Sequence, residues 1–120
     1  MKKILVAEDN PTCMKIVTCL LAKGGYEILQ ATNGVDAVKI ADQELPDLIL
    51  LDVQLPEMSG FEAVDAIRAN TRTEDINIVA MTVFSMEGDR ERILAAGYDG
   101  YIAKPVDSKD LLATVASFLK

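Results

Sequence analysis

Four apolar segments of the chain end beside side chains that could take part in chemistry. Two acids follow ILVA, one acid ends LILLD, a threonine follows IVAM and a lysine follows YIA; these residues are Glu8, Asp9, Asp52, Thr82 and Lys104. A carboxylate, a hydroxyl and an ammonium are together suited to phosphoryl transfer onto an aspartate. Asp52 would attack, while Thr82 and Lys104 would stabilise charge on the phosphoryl oxygens.

The acidic residues also point to a bound cation. Two carboxylates ~4 Å apart repel each other by about 4 kcal/mol at an effective dielectric constant near 20. Crowding Asp9 and Asp52, with Glu8 close by, therefore favours a cation that offsets the repulsion. The chain contains no histidine, and oxygen ligands favour a hard ion, Mg²⁺ or Mn²⁺, over zinc.

Each of these residues has an ordinary structural explanation when it is taken alone. An aspartate after a strand is usually a turn former, a lysine before a proline is usually a loop residue, and a threonine at a strand end is often structural. Their combination is more specific, because chance gives no reason for these groups at successive strand ends. The pattern GxxxxGK[ST] is absent from the sequence, which argues against a P-loop protein or a nucleotide-dependent kinase.

Five apolar runs predict the strands that would position these side chains. Three are nearly continuous, as is typical of parallel strands covered on both faces. The second contains Glu27 and Gln30 and the fifth is short, so both suit sheet edges. The runs are residues 3–7, 26–31, 47–51, 77–81 and 101–103. Ligands of such sheets bind beyond the carboxyl ends of the strands.

Helical patterns alternate with these runs and imply right-handed crossovers, with helices on both faces of a parallel sheet. Asn10 and Pro11 form a helix start signal. Further helices are predicted at about residues 34–44, after Gly60, at about 86–96 and after Asp107.

The fourth of these helices differs from the others. It is highly charged, and Ile93 and Leu94 give it only a thin apolar face. This pattern suits a solvated helix and a partner-facing surface equally well.

Composition narrows the class of protein. The 120 residues correspond to one domain, 1–120, and the net charge of −7 argues against nucleic-acid binding. Cys13 and Cys19 lie in one predicted helix, where a disulfide is unfavourable, so we expect both thiols to be reduced and the protein to be cytoplasmic. No segment has the length of a signal peptide or a membrane span.

The motifs ILVAEDNP, PDLILLDVQLPEMSGFE, IVAMT and AGYDGYIAKPVD resemble, in order and spacing, the response regulator receiver domain of two-component signalling. The resemblance covers the whole chain. It implies an α/β, flavodoxin-like (βα)₅ fold, a doubly wound parallel sheet with strand order 2-1-3-4-5.

The resemblance also implies the roles of the acidic residues. Asp52 would be the phosphoacceptor. Mg²⁺, with Mn²⁺ as a substitute, would be bound by Asp9, Asp52 and the backbone carbonyl of Gln54, and Glu8 would act through water. Glu8 stands where an aspartate is frequent in the family, which changes its reach and keeps its charge.

Other positions would serve switching and shape. Thr82 would be the switch hydroxyl and Tyr101 the aromatic that rotates inward when Thr82 moves toward the phosphoryl group. Lys104 would contact the phosphoryl oxygens, a cis peptide bond would precede Pro105, and Gly60 would permit a close turn after the acceptor.

Three residues would tune the lifetime of the phosphoryl group. These are Gln54, Val83 and Phe84, which lie beside the acceptor and the switch hydroxyl in the family pattern. Val83 stands where a smaller alanine is usual. We expect Val83 and Phe84 to crowd the path of the hydrolytic water and to slow self-dephosphorylation.

The resemblance implies partners as well. A sensor histidine kinase or a histidine phosphotransfer protein would supply the phosphoryl group, and the fourth and fifth helices with strand five would contact a downstream protein target. No nucleic acid or membrane is expected to bind, and the protein would be a monomer or a weak phosphorylation-dependent dimer. A stand-alone receiver or phosphorelay intermediate and a receiver fragment of a larger regulator or hybrid kinase both fit the chain.

Three other functions fit parts of the pattern. A haloacid-dehalogenase-type Mg²⁺ phosphatase uses similar groups, but its second aspartate, a general acid, is replaced here by Gln54, so we expect no turnover enzyme. A receiver that is never phosphorylated would usually lack the acceptor, an acidic ligand or the lysine, and this chain has all three. Flavodoxin-like electron transfer is disfavoured because the loop EDNPT would present carboxylates to a flavin phosphate.

Overall fold

The computed structural model describes residues 2–83 and 88–119, and within them five strands and five helices alternate along the chain. The strands are β1 (Lys3–Ala7), β2 (Glu27–Ala31), β3 (Leu48–Asp52), β4 (Asn77–Thr82) and β5 (Gly100–Ala103). The helices are α1 (Pro11–Lys23), α2 (Gly34–Glu44), α3 (Gly60–Ala69), α4 (Asp89–Ala95) and α5 (Ser108–Phe118).

The strands form one parallel sheet in the order β2-β1-β3-β4-β5, which confirms the predicted flavodoxin-like topology. β2 and β5 lie at the two edges, as their composition predicts. β3 is buried along its whole length, because helices cover both faces of the sheet. The carboxyl ends of β1, β3 and β4 therefore lie side by side in the middle of one sheet edge.

Alternate strand residues pack into two cores, one on each face of the sheet. Leu5, Ile49 and Ile78 pack with buried residues of α2, α3 and α4. Ile4 and Leu50, on the opposite face, pack with buried residues of α1 and α5. The period of two along each strand thus supplies both helix layers with apolar partners.

The start of α1 follows from its first two residues. The side chain of Asn10 accepts a hydrogen bond from the Cys13 N–H, and Pro11 occupies the first turn. The Asn10-Pro11 start signal is therefore confirmed. Cys13 and Cys19 are both free thiols.

The fourth helix differs from its prediction. It spans Asp89–Ala95, and Ile93 is buried while 42% of Leu94 is exposed. Of the two residues of the predicted thin apolar face, only Ile93 packs inward, because adjacent helical residues point about 100° apart and this short helix presents one side to the sheet. The predicted start near residue 86 lies outside the described residues.

Among the described helices, none combines the length and apolar character that crossing a bilayer requires.

Candidate functional site

Asp52 is the last residue of β3, and its side chain is 5% exposed at the carboxyl end of the sheet. Oδ1 accepts a hydrogen bond from the Gln54 N–H at 2.9 Å. Oδ2 accepts one from Lys104 Nζ at 2.6 Å. Because a fully buried strand carries it, the carboxylate is held in a fixed position.

Glu8 directly follows β1 and is 1% exposed. Its Oε2 accepts a hydrogen bond from the Asn10 N–H at 3.0 Å, and its Oε1 lies 2.5 Å from Lys104 Nζ. The Lys104 ammonium therefore bridges two buried carboxylates, those of Glu8 and Asp52.

Asp9 adds a third carboxylate from the exposed side of this group. Glu8, Asp9 and Asp52 can each offer an oxygen, and these atoms lie within 4.8 Å of one another. All three line a cavity of about 410 Å³. The same cavity is lined by Asn10, Val53, Gln54, Thr82, Val83 and Lys104.

The electrostatics of this cluster are unbalanced. Burial, with the neighbouring Glu8, raises the pKa of Asp52 to about 6, although the Gln54 N–H and Lys104 oppose the shift. Burial also opposes ionisation of Glu8, but hydrogen bonds from Lys104 and the Asn10 N–H outweigh it and lower the pKa of Glu8. Burial likewise disfavours the Lys104 ammonium, yet Asp52 and Glu8 raise its pKa to about 12.

The charges of this group test whether the residues fit a divalent cation. One ammonium faces two buried carboxylates and a third nearby, so Lys104 alone does not balance the negative charge of Glu8, Asp9 and Asp52. All the candidate ligand atoms are oxygens, which suits Mg²⁺. The donor set therefore fits the ion that the sequence predicts.

Thr82 and Lys104 come together through the ends of β4 and β5. The Lys104 N–H donates to the Thr82 carbonyl at 2.8 Å, and the Lys104–Pro105 peptide bond is cis. Thr82 is 7% exposed, and its hydroxyl makes a long hydrogen bond, 3.5 Å, to the Val83 carbonyl. Because that bond is at the limit of useful geometry, the hydroxyl is available for a better acceptor.

Position 60 requires glycine, because the backbone of Asp52 and Val53 approaches it too closely to leave room for a side chain. Its N–H donates to the Val53 carbonyl at 3.1 Å. A Cβ added to Gly60 would collide with the backbone of Asp52 and Val53 and with the Tyr98 hydroxyl. The turn after Asp52 can therefore close directly onto the start of α3.

Tyr101 lies on β5, half-buried, and does not line the cavity that contains Asp52. The guanidinium carbon of Arg90 lies 5.3 Å from the centroid of its ring. Val83 stands at the cavity mouth with 63% of its surface exposed. Phe84, the third residue predicted to tune the lifetime of the phosphoryl group, lies outside the described residues.

The structure thus brings Glu8, Asp9, Asp52, Thr82 and Lys104 together at one cavity, whereas Tyr101 lies apart from it.

Sequence reasoning missed two neighbours of the site. Burial, with the nearby carboxylate of Glu8, raises the pKa of the Cys13 thiol to about 11; its position three residues after the Asn10 cap is the sequence signal that places it there. Tyr98 reaches the turn beneath Asp52 from the α4–β5 connection, and no local pattern announces that contact.

Comparison with known proteins gives a consistent result. Residues 4–116 match the family model of the response regulator receiver domain. The polar-differentiation response regulator DivK of Brucella anthropi is 38% identical over 118 residues, which are 98% of this chain and 96% of that protein.

Solved structures agree with that match. The receiver domain of the sensor histidine kinase PA1611 of Pseudomonas aeruginosa, which has a magnesium ion coordinated in its active-site cleft, is 33% identical with a TM-score of 0.91, covering 98% of this chain and 97% of that one. The chemotaxis response regulator CheY4 of Vibrio cholerae is 30% identical with a TM-score of 0.92, covering 99% of both chains.

Proposed function

This chain belongs to the response regulator receiver domain family, and from that premise we propose that it accepts a phosphoryl group on Asp52 from a phosphohistidine. The observation that carries the proposal is the position of the Asp52 carboxylate, which lines an acidic cavity and is bonded to Lys104 at 2.6 Å. Thr82 lines the same cavity.

Mg²⁺ is the proposed cofactor, with Mn²⁺ as a substitute. Asp9, Asp52 and the backbone carbonyl of Gln54 would hold it, and Glu8 would act through water. The magnesium ion in the receiver of PA1611 supports this assignment, as do the candidate ligand oxygens of Glu8, Asp9 and Asp52, which lie within 4.8 Å of one another. Bound there, the ion would neutralise negative charge on the phosphoryl oxygens.

The transfer is a displacement at phosphorus. A carboxylate oxygen of Asp52 forms a bond to phosphorus while the phosphorus–nitrogen bond of the phosphohistidine breaks. The imidazole leaves with the electron pair and takes a proton from solvent. Lys104 stays beside the new phosphoryl group as its positive partner, and the Thr82 hydroxyl turns from the Val83 carbonyl to a phosphoryl oxygen.

The proposed output begins with that turn of Thr82. Tyr101 follows it inward and leaves its position beneath Arg90, which changes the surface of α4, β5 and α5. This surface contacts the downstream protein target. A local change of charge thereby biases an element with two arrangements.

The lifetime of the phosphoryl group is proposed to depend on Gln54, Val83 and Phe84. The exposed side chain of Val83 at the cavity mouth would obstruct the hydrolytic water. Slow loss of the phosphoryl group suits a signal. Members of this family are typically signalling proteins and not turnover catalysts.

The cellular setting is proposed from the family. A sensor histidine kinase or a histidine phosphotransfer protein is the donor, in the cytoplasm, and no nucleic acid or membrane is bound. The protein acts as one receiver domain, 1–120, as a monomer or a weak phosphorylation-dependent dimer. A stand-alone receiver or relay intermediate and a receiver within a larger regulator or hybrid kinase remain alternatives; the relatives include a receiver of each kind.

Intact-mass measurement after incubation with acetyl phosphate tests the proposal. We expect one phosphoryl adduct that requires Mg²⁺, is absent in Asp52→Asn and is removed by hydroxylamine. Asp65→Asn, which changes an exposed carboxylate on α3, is the matched control and should be modified like the wild type. An adduct that persists in Asp52→Asn would refute the assignment, and sustained hydrolysis of a generic phosphate ester would favour a phosphatase.

A further inference from the structure

The Tyr98 hydroxyl is a buried polar group that has no hydrogen-bond partner in the described part of the chain. The residue is 3% exposed, and its ring packs edge-on against Phe61, with the centroids 6.1 Å apart. Buried polar atoms in native proteins are nearly always satisfied, so an unpaired hydroxyl needs a physical explanation. A phenylalanine would fill the same space without this cost.

The position of the hydroxyl suggests the explanation. A Cβ added to Gly60 would lie 2.5 Å from the Tyr98 hydroxyl, and it would also collide with the carbonyl oxygen of Asp52. The hydroxyl and the Asp52 carbonyl therefore flank the same point beneath the turn that carries the nucleophile. A small shift of that turn would bring them to hydrogen-bonding distance.

The hydroxyl is equipped to donate. Burial, with the negative charge of Asp52, raises the pKa of Tyr98, so the phenol keeps its proton at neutral pH. A phenol that stays protonated in an apolar setting is a good donor to a backbone carbonyl.

The proposed reaction changes the hydrogen bonding of this turn. In the structure the Gln54 N–H donates to Asp52 Oδ1 at 2.9 Å. In the loaded state the Gln54 carbonyl would hold Mg²⁺ and Asp52 would carry a phosphoryl group, so both partners of that bond would have new neighbours. We therefore expect the backbone of residues 52–60 to adjust in the loaded state.

We propose that Tyr98 is a positioning residue: its hydroxyl donates a hydrogen bond to the backbone carbonyl of Asp52 when residues 52–60 close around Mg²⁺ and the phosphoryl group. This inference rests on the proposed function of Asp52. A bond made only in the loaded arrangement stabilises that arrangement and raises affinity for whatever induces it. The Tyr98 hydroxyl, which has no hydrogen-bond partner among the described residues, would gain one in that arrangement.

Tyr98→Phe removes the hydroxyl and keeps the ring. We expect it to bind Mg²⁺ with beryllofluoride, a phosphoryl mimic, about 5- to 10-fold more weakly than the wild type in isothermal titration calorimetry, as the loss of one hydrogen bond implies. Without metal, its urea midpoint should equal or exceed that of the wild type. Tyr26→Phe, which changes the residue just before β2, is the matched control and should change neither quantity.

A direct signature accompanies the affinity. In protein labelled at the tyrosine Cζ carbons, the Tyr98 resonance of the wild type should shift when Mg²⁺ and beryllofluoride bind, because the phenol gains an acceptor.

Two outcomes would overturn the inference alone. One is affinity within twofold of the wild type together with an unshifted Tyr98 resonance. The other is a lower urea midpoint of the metal-free variant, which would mean that the hydroxyl already has a partner. Failure of the wild type itself to bind Mg²⁺ and beryllofluoride would instead overturn the proposed function, and this inference with it.

Discussion

α3 and α4 follow the two central strands of the site, yet they are held in different ways. α3 begins with a complete capping box, in which Ser59 and Glu62 satisfy each other's backbone N–H groups, and four of its residues are buried. Within the described range 89–95, α4 buries one residue, Ile93, and its N-cap, Gly88, supplies no capping side chain. α3, the helix after Asp52, is therefore firmly fixed, and α4, the helix after Thr82, is weakly fixed.

Arg68 marks the boundary between the two regions. From the end of α3 it donates five hydrogen bonds, to the carbonyls of Gly97, Glu74 and Ile76 and to the Asp99 carboxylate. The connection after α4 is thus anchored to α3, while the contacts of α4 itself include the buried Ile93 and two arginine–aromatic pairs. A change at Thr82 would accordingly move α4 about an anchored end and leave α3 in place.

Among the substitutions that test this difference between α3 and α4, Arg68→Ala should have the largest effect on stability. It removes a cation that satisfies three backbone carbonyls and one carboxylate, and the side chain is 25% exposed. We expect the free energy of unfolding to fall by about 2–4 kcal/mol, since charged hydrogen bonds with partly buried partners are among the costly ones to lose. Urea denaturation measures the change.

Arg72→Ala is the control for Arg68→Ala. Arg72 also contacts a neighbouring element, through Asp42 at 3.8 Å, but its side chain is 59% exposed. Its loss should cost at most about 1 kcal/mol. Equal effects of the two substitutions would contradict the anchoring role of Arg68.

Asp52→Asn tests whether the fixed side of the site carries electrostatic strain. The folded pKa of about 6 lies above the ordinary 3.8, so the native state binds this proton more tightly than the unfolded chain. The ionised carboxylate therefore costs stability above pH 6, and the cost disappears as the pH falls below about 4. Without metal, the variant should be more stable than the wild type by roughly 1–3 kcal/mol at pH 7.

The pH profile of urea denaturation checks this sign. The difference between Asp52→Asn and the wild type should shrink between pH 6 and pH 4, and Mg²⁺ should narrow it at pH 7 by stabilising the wild type. Asp65→Asn, the exposed control, should stay close to the wild type throughout. A variant less stable than the wild type at pH 7 would show that Lys104 fully compensates the carboxylate.

The same contrast explains what the sequence could predict. The sequence patterns were clearest for the strands and helices that hold Asp52 in place. Continuous apolar runs predicted β1, β3 and β4 to within one residue at each end. Asn10-Pro11 predicted the start of α1. In a parallel sheet, that was enough to place Asp52 and Thr82 at a common edge. Weak signals marked α4, where two adjacent apolar residues could not define which side faces the sheet.

The contacts between distant residues of the site could not be predicted from the local sequence pattern. Glu8 and Asp9 are adjacent in sequence, yet one is buried and the other exposed, because Glu8 contacts Lys104 from across the sheet. The bridge from Lys104 to two carboxylates and the approach of Tyr98 to the Asp52 turn join residues far apart in the chain. Such contacts depend on how the packed elements meet, which local periodicity does not encode.

Ser59→Ala tests how much the N-terminal cap of α3 contributes to stability, and its expected effect is smaller. It removes the side chain that accepts the Glu62 N–H at 3.2 Å. We expect a loss of about 1 kcal/mol in the free energy of unfolding, the usual cost of an N-cap serine. Ser108→Ala, the first residue of α5 and exposed, is the control and should change stability by less than about half that amount. Chemical denaturation that does not separate the two would mean that the α3 cap contributes nothing.

Arg90→Ala has the smallest expected effect on stability and the most local one. Cation–π contacts at exposed sites contribute about 0.5–1 kcal/mol, so global unfolding should change little. Because α4 buries only Ile93 among its described residues 89–95, loss of this contact should speed exchange of its backbone amides with solvent by about 3- to 5-fold in hydrogen-exchange NMR, while those of α3 stay unchanged. Arg90→Lys keeps the charge over Tyr101 and should exchange at an intermediate rate. Equal acceleration in α3 and α4 would mean that the two helices open together, and that α4 is not the separately movable element on which the proposed switch depends.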